Sequence, residues 1–506
     1  MSRRLPLARW PLWAGMAVAA IAGAVTALGL APYGIWPLAL AGWILLPGLM
    51  ALARRPGQAA ALGWAFAAGY FAHGLMWIVE PFLVDIRRHG WMAPFALVFL
   101  SGGLALFWAA AFWAAHRAGR DWLHRGLLLV PCLALAEFGR AYLLTGFPWA
   151  APAQALIDSP MLPLLAWLGP QGLGLLATGA CICIGLLALG GRAGPWLLLA
   201  VPALAMGGLT LLAGQGKAPV EGTGHTVRVI QPNADQQRKW DPEWVPVFFN
   251  RQLELTAEGP RPDLVVWPES AIAPVYERAD PWFQAITQAA GGAQVALGIR
   301  RYDGRLYNAL ARLDGDGVAG QVYDKHHLVP FGEYIPLGNL AKRVGIKGLA
   351  AEDGDGYSAG PGPALMDFGP LGRALPLICY EAVFPQDVNA APDRADFLLQ
   401  VTNDAWFGQR VGPYQHLAQA RMRAVEQGLP MVRAANTGIS AIIDPHGTIV
   451  DSLPLGQAGY VQADLPAPLP PTPYARTGDR PWLIVTLLLL GAGLSIPLVK
   501  QGRESD

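Results

Sequence analysis

The feature that most restricts this chain is the near-unbroken apolarity of its first 217 residues. A helix needs ~20 apolar residues to cross a bilayer. Blocks of that kind follow one another at 11–30, 35–53, 59–79, 92–115, 126–144, 162–189 and 195–214, and one more stands at 481–499. Backbone inside hydrocarbon must satisfy its own polar groups, so such blocks are expected as helices. The first block runs on toward the second with no small-residue cleavage site between them, and reads as a retained helix rather than a signal peptide. From residue 218 to 473 the composition becomes that of a globular domain. The expected organisation is a seven-helix membrane domain over 1–217, a soluble domain over 218–473, and an eighth helix with a tail over 474–506.

Orientation follows from arginine and lysine in the short loops. Arg3, Arg4, Arg9, Arg54, Arg55, Arg117, Arg120, Arg125, Arg192, Lys500 and Arg503 fall on one side of an eight-span chain, which is then the cytoplasmic side. Arg87 and Arg88 run against the rule. The soluble domain follows span seven and is expected outside the cytoplasm. Glu137 and Arg140 lie within span five, where ionisable groups are either functional or an internal pair that fixes packing.

Composition narrows the function. Lys plus Arg (37) balances Asp plus Glu (36), so the basic excess of a nucleic-acid binder is missing. Of four cysteines, Cys132, Cys181 and Cys183 sit in apolar blocks and read as packing residues. Cys379 is left as a lone thiol in the soluble part. No metal or other cofactor is expected. The pair His326-His327 has no carboxylate at ligand spacing on a common helix. Asp353-Gly-Asp-Gly356 lacks the later oxygen ligands of a calcium loop.

The soluble part reads as α/β. Strands are expected at 226–230, 264–267, 295–299, 307–313, 320–323, 374–378, 397–401, 431–435, 439–444 and 460–463, with helices at 242–257, 280–290 and 413–427. Asp314-Gly-Asp-Gly317 marks a hairpin turn. The mixture implies two sheets covered by helices.

Three of these strands end in chemistry. Glu269 closes Leu264-Val-Val-Trp-Pro-Glu269, where Pro268 ends the ladder. Lys325 follows Val322-Tyr-Asp, and Glu333 comes eight residues later. Cys379 follows Leu377-Ile378. Strand ends are where α/β sheets build ligand sites. A thiol is mostly protonated at neutral pH, so it needs a base such as a carboxylate. An ammonium can hold the oxyanion of a tetrahedral intermediate. Each residue alone also fits a plainer role, as core thiol, cap or surface charge, and only shared geometry makes them a site.

The blocks Val265-Val-Trp-Pro-Glu-Ser270, Tyr323-Asp-Lys-His-His-Leu-Val-Pro-Phe-Gly-Glu333 and Leu377-Ile-Cys-Tyr-Glu381 resemble, in order and rough spacing, the Glu, Lys and Cys blocks of the nitrilase superfamily. Joined to the apolar blocks, the chain resembles the bacterial apolipoprotein N-acyltransferase family over nearly its whole length. The likeness includes Ala31-Pro-Tyr-Gly-Ile-Trp36, Thr145-Gly-Phe-Pro-Trp149, Lys239-Trp-Asp-Pro242, Tyr307-Asn-Ala309 and Thr402-Asn-Asp-Ala-Trp-Phe-Gly408. The segment after Trp149 lacks the Gly-Tyr pair expected in many members.

The resemblance implies a nitrilase-like α-β-β-α sandwich attached to an eight-helix transmembrane bundle, in a bacterial inner membrane with the catalytic domain on the periplasmic side. It implies Glu269 as general base, Lys325 as oxyanion holder and Cys379 as nucleophile, with Glu333, Tyr380 and Glu381 in support. Trp240 would contact substrate, and Phe147 and Trp149 would help cover an acyl chain. The implied reaction takes an acyl chain from a phospholipid, with phosphatidylethanolamine expected, through a Cys379 thioester to the amino terminus of a diacylglyceryl lipoprotein. A monomer is expected. A hydrolase using water as acceptor and a non-catalytic lipid-binding protein are the competing classes. The topology can be tested with a reporter fused after Gly224. It should be active only if it is one that works outside the cytoplasm, and the reverse pattern would overturn the orientation.

Overall fold

The computed structural model describes residues 11–190, 220–336 and 356–495. The expected span at 195–214 lies outside the described residues, as does the end of the one at 481–499. The first half is a packed set of helices: α1 (Leu12–Thr26), α2 (Trp36–Leu52), α3 (Pro56–Gly74), α4 (Ala93–Ala118), α5 (Trp122–Tyr142) and α6 (Leu165–Ala188). Their bounds follow the apolar blocks because a backbone in hydrocarbon has no other way to pair its own groups.

Length and hydropathy together qualify fewer helices as spans than the eight expected. Among the described residues, three stretches are long and apolar enough to cross a membrane: Leu12–Gly29, Ile86–Ala118 and Leu162–Ala188. A fourth arises if Pro56–Gly74 and Met76–Leu83, bent by 64° at the break between them, count as one. Trp36–Leu52 and the C-terminal helix are apolar but shorter. Helix α5 carries Arg125, Glu137 and Arg140, which lowers its hydropathy.

Small residues let these helices approach closely. A side chain built at Gly23 of α1 would collide with the carbonyl of Phe66, and one at Gly69 of α3 with the carbonyl of Ala20. Glu137 and Arg140 form a buried pair at 2.6 Å. The Trp108 indole N–H donates to Glu137 at 2.8 Å, and Arg140 donates to the carbonyls of Phe147 and Trp149 at 2.5 and 2.7 Å. The pair therefore satisfies itself and pins the loop after α5, which favours the packing role over a separate function.

The second half contains two six-stranded sheets. The first has the order β12-β1-β2-β3-β4-β5. Its strands are β1 (Gly222–Gln231), β2 (Leu264–Trp267), β3 (Gln294–Tyr302), β4 (Leu306–Leu313), β5 (Ala319–Asp324) and β12 (Gly459–Pro466). The second has the order β11-β10-β9-β8-β7-β6, from β6 (Met366–Asp367), β7 (Arg373–Ile378), β8 (Phe397–Thr402), β9 (Met431–Ala435), β10 (Ser440–Ile443) and β11 (Ile449–Leu453). In each sheet three neighbours run parallel, β1-β2-β3 and β7-β8-β9, with antiparallel strands on both sides. The two halves of the domain thus repeat one topology.

Strand alternation sorts the side chains. Val227, Val229, Leu264 and Val266 of the first sheet meet Ile378, Phe397, Leu399 and Val432 of the second in one core. The opposite face of the first sheet, with Val265, Trp267, Val295 and Leu297, is covered by Phe283 and Ile286 of α8 (Asp280–Ala290), beside α7 (Val245–Ala257). The opposite face of the second, with Leu375, Leu377, Leu398 and Met431, is covered by Leu417, Ala420 and Ala424 of α9 (Gly412–Gln427). The result is the α-β-β-α sandwich expected. Helix α9 also packs on α6, so it lies between the second sheet and the apolar helices. The last helix, α10 (Arg480–Ser495), returns to pack on α5.

The strands expected from sequence are present, with the Asp314–Gly317 turn between β4 and β5. Strands β6 and β11 were not expected. The first has two residues, and Ile449–Leu453 is largely exposed, so neither carries an alternating pattern. Gly69→Leu should force α1 and α3 apart. Overpacking of this kind costs ~1–3 kcal/mol, and a lower melting temperature of the purified protein in detergent is expected. An unchanged melting temperature would mean that the close approach is dispensable.

Candidate active site

The parallel strands bring their carboxyl ends to one edge of each sheet, and the stacked sheets bring those edges together. Glu269 lies two residues past β2, Lys325 directly after β5 and Cys379 directly after β7. Glycine allows the closest approach in this region. A Cβ at Gly298 of β3 would stand 2.5 Å from the Glu269 Cα and 2.6 Å from the Pro268 carbonyl. Cys379 (φ 51°), Ser270 (φ 50°) and Phe331 (φ 63°) take left-handed backbone without being glycine. Such residues cluster where the surroundings hold them for a purpose.

Glu269, Lys325, Glu333 and Cys379 are all buried, and Lys325 is only 1% exposed. The Lys325 ammonium sits 2.9 and 2.8 Å from the two oxygens of Glu333. Asn308 links the carboxylates, since its amide donates to Glu269 Oε1 at 2.6 Å and to Glu333 Oε1 at 3.0 Å. The backbone N–H of Asn403 donates to Glu269 Oε2 at 2.7 Å, and that of Val329 to Glu333 Oε2 at 2.8 Å.

Electrostatics follow from this geometry. Burial pushes the Glu269 pKa up; Lys325 opposes, Glu333 adds to the rise, and Asn308 and Lys239 oppose further. Burial also pushes the Cys379 thiol up, with Glu269 adding to it and Lys325 and a Thr402 hydrogen bond opposing. For Lys325, burial favours the neutral amine, but Glu333, Cys379 and Glu269 outweigh it and raise the pKa. The arrangement is therefore a neutral thiol, a firmly charged ammonium and a carboxylate of raised basicity in one water-poor volume. It can move a proton from thiol to carboxylate and hold negative charge at the ammonium.

Glu381 is fully buried and ties two strand ends together. It accepts from the N–H of Ile378 at 2.7 Å, the N–H of His326 at 2.8 Å and the Tyr323 hydroxyl at 2.8 Å. The histidine pair does meet carboxylates, contrary to what local spacing allowed: His326 lies 2.6 Å from Glu381, and His327 lies 2.6 Å from Asp387. Burial lowers the His326 pKa, but Asp387 and Glu381 reverse this and raise it to about 9. Tyr380 is buried, edge-on to His327 and Phe384.

The aromatic residues divide. Trp240 is 39% exposed, with the Arg300 guanidinium 4.6 Å and the Lys239 ammonium 5.2 Å from its ring centre. Lys239 is itself buried and donates to the Glu269 carbonyl at 3.1 Å. Burial lowers its pKa to about 8, against the attraction of Glu269. Trp149 is fully buried, with its indole N–H on Gln415 at 2.7 Å and its ring 4.4 Å from that of Trp77. Phe147 is half-buried and stacks on Trp149. Sequence reasoning singled out neither Asn308, Asn403 nor Lys239 for a role. Their signal lay in the motifs Tyr307-Asn-Ala309, Thr402-Asn-Asp404 and Lys239-Trp240, read only as likeness.

Residues 226–469 match the carbon-nitrogen hydrolase family, which is the class that the two-sheet domain defines. Residues 22–183 match the apolipoprotein N-acyltransferase N-terminal domain. The apolipoprotein N-acyltransferase of Rhodopseudomonas palustris is 38% identical over 94% of this chain and 94% of its own length. Those of Caulobacter vibrioides (38% identical; 98% of this chain, 96% of its own) and Brucella suis (36%; 97% and 97%) are similar. The chain belongs to the apolipoprotein N-acyltransferase family, and it is an acyltransferase.

Asn308 stabilises the charged form of Glu269, so Asn308→Leu should raise the Glu269 pKa further. Less carboxylate is then available at a given low pH. The acid limb of the pH–rate profile should move to higher pH, with activity recovering as pH rises. An unmoved limb would mean that Glu269 does not set it.

Proposed function

We propose that this enzyme transfers an acyl chain from a membrane phospholipid, phosphatidylethanolamine by expectation, to the α-amino group of a diacylglyceryl-cysteine lipoprotein. The names of the relatives support a lipoprotein acceptor. The observation that carries the reading is the buried Cys379–Lys325–Glu269 constellation, built against helices apolar enough to span a bilayer. Moving an acyl chain through water costs ~0.8 kcal/mol for each exposed CH₂, so both lipids are best met at the membrane.

In the first step Glu269 takes the Cys379 proton and the thiolate attacks the phospholipid ester carbonyl. The oxyanion is held by the Lys325 ammonium, which Glu333 orients. The ester C–O bond breaks, and the lysophospholipid leaves with the proton from Glu269. In the second step the acceptor amine attacks the thioester. The nitrogen gives its proton to Glu269, the C–S bond breaks, and the proton returns to Cys379. Glu381 and Tyr380 support the turn that carries the thiol, and Trp240 offers the incoming lipid an exposed aromatic face. No cofactor takes part.

The same reading gives eight spans, with membrane domain 1–217, periplasmic catalytic domain 218–473 and C-terminal helix and tail 474–506. The enzyme would act as a monomer.

Phosphatidylethanolamine alone should load the protein with one acyl chain, seen by intact-protein mass spectrometry. The adduct should be cleaved by neutral hydroxylamine and be missing in Cys379→Ala. A diacylated lipopeptide with a free amino terminus should discharge it, and an N-acetylated one should not. Release of free fatty acid without acceptor would instead indicate a hydrolase.

A further inference from the structure

Behind Cys379 lies a second polar cluster that the transfer chemistry does not use. Gln400 of β8, Asp404 after it, His416 of α9 and Arg433 of β9 are all fully buried. Arg433 donates to Asp404 Oδ2 at 2.5 Å and to Gln400 Oε1 at 2.6 Å. His416 Nδ1 lies 2.8 Å from Asp404 Oδ1, which also accepts from the Thr402 hydroxyl at 2.9 Å.

The cluster ends on the backbone of Cys379. The carbonyl oxygen of that residue lies 3.1 Å from His416 Nε2 and 3.4 Å from Gln400 Nε2. Because the Gln400 oxygen is taken by Arg433, its amide nitrogen must be the side facing His416 and Cys379. Asp404 can only accept, so His416 Nδ1–H donates to it and, in the neutral ring, Nε2 accepts from the Gln400 amide at 3.0 Å. The Cys379 carbonyl then accepts from the other N–H of Gln400, and neither ring nitrogen is free to take the thiol proton.

A buried ion pair is a weak source of stability, since apolar residues of like volume often serve as well. This one is spent on the carbonyl of a residue in left-handed backbone, the conformation that sets where the thiol points. The cluster is also anchored to the apolar half. The neighbour of His416, Gln415, accepts from the Trp149 indole and donates to the carbonyls of Ala31 at 3.2 Å and Gly74 at 2.9 Å. The rings of Trp149 and Phe407 lie 5.7 and 5.4 Å from that of His416.

We infer that His416 is a positioning residue: it orients the Gln400 amide that donates to the Cys379 carbonyl, and so holds the backbone that aims the thiol at Glu269 and Lys325. Successive residues of α9 thus grip the apolar helices (Gln415) and the nucleophile turn (His416). This rests on the reading of Cys379 as the acyl carrier.

The test uses the full chain in mixed micelles and follows acyl loading of Cys379 by mass spectrometry as phosphatidylethanolamine is varied. A misplacement of ~1 Å costs ~10²-fold in rate. His416→Ala should lower the maximal loading rate by about that factor, with the KM for lipid within about twofold. His416→Gln, whose amide oxygen can accept from Gln400 as Nε2 does, should recover about tenfold of the loss. Gln400→Met removes the donor to the carbonyl at similar volume and should lower the same rate per folded molecule, with some loss of melting temperature because Arg433 loses an acceptor. A purely structural role would lower the folded yield and leave the rate per folded molecule unchanged. Wild-type loading rates in folded His416→Ala, or in folded Gln400→Met if His416→Ala does not fold, would overturn the inference. Loading missing from the wild-type protein itself would instead overturn the acyl-carrier reading.

Discussion

The site depends on the buried ammonium of Lys325. Lys325 is closed off from water and held between the oxygens of Glu333, with Glu269 and the Cys379 thiol within electrostatic reach. An unpaired charge at such depth would neutralise itself by losing its proton. The pairing with Glu333 keeps it charged, and the charge in turn keeps Glu269 from rising as far as burial alone would take it. Cys379, Glu269 and Lys325 are therefore one electrostatically coupled system. Changing any member alters the protonation of the others, and effects of paired substitutions should not add.

Side chains join the two halves of the chain. Glu137 and Arg140 fix the loop that carries Trp149, Trp149 meets Gln415, and the next residue of α9 reaches the Cys379 carbonyl. From the other side, His327 comes within 3.2 Å of the Thr145 carbonyl. Each contact uses a polar group that would be costly to leave unpaired in an apolar setting. The geometry around Cys379 is thereby referred to the apolar helices.

Much of the sandwich was legible in the sequence. Leu264-Val-Val-Trp267 and Phe397-Leu-Leu-Gln-Val401 are short apolar runs closed by polar turns, buried on both faces, and too short for buried helices. Glu269, Lys325 and Cys379 stood out because each follows such a run. Strand β11 left no trace, since its side chains face water on both sides. Among the described residues the apolar blocks mark helices well, while α2 is short for a span and α5 carries charges that only its fold pairs.

The sequence alone determined the division into an apolar and a globular half, the α/β alternation and the candidate nucleophile, because hydrophobic periodicity and strand-end polarity are local properties. Tertiary structure decided which polar residues meet. Asn308 reaches Glu269 and Glu333 across 39 and 25 residues, Asn403 reaches Glu269 across 134, and His416 reaches the Cys379 carbonyl across 37. Such pairings depend on the register and stacking of two sheets, and no spacing along the chain encodes them. The protonation states of the site follow from that burial and from those partners, so they too exist only in the folded molecule.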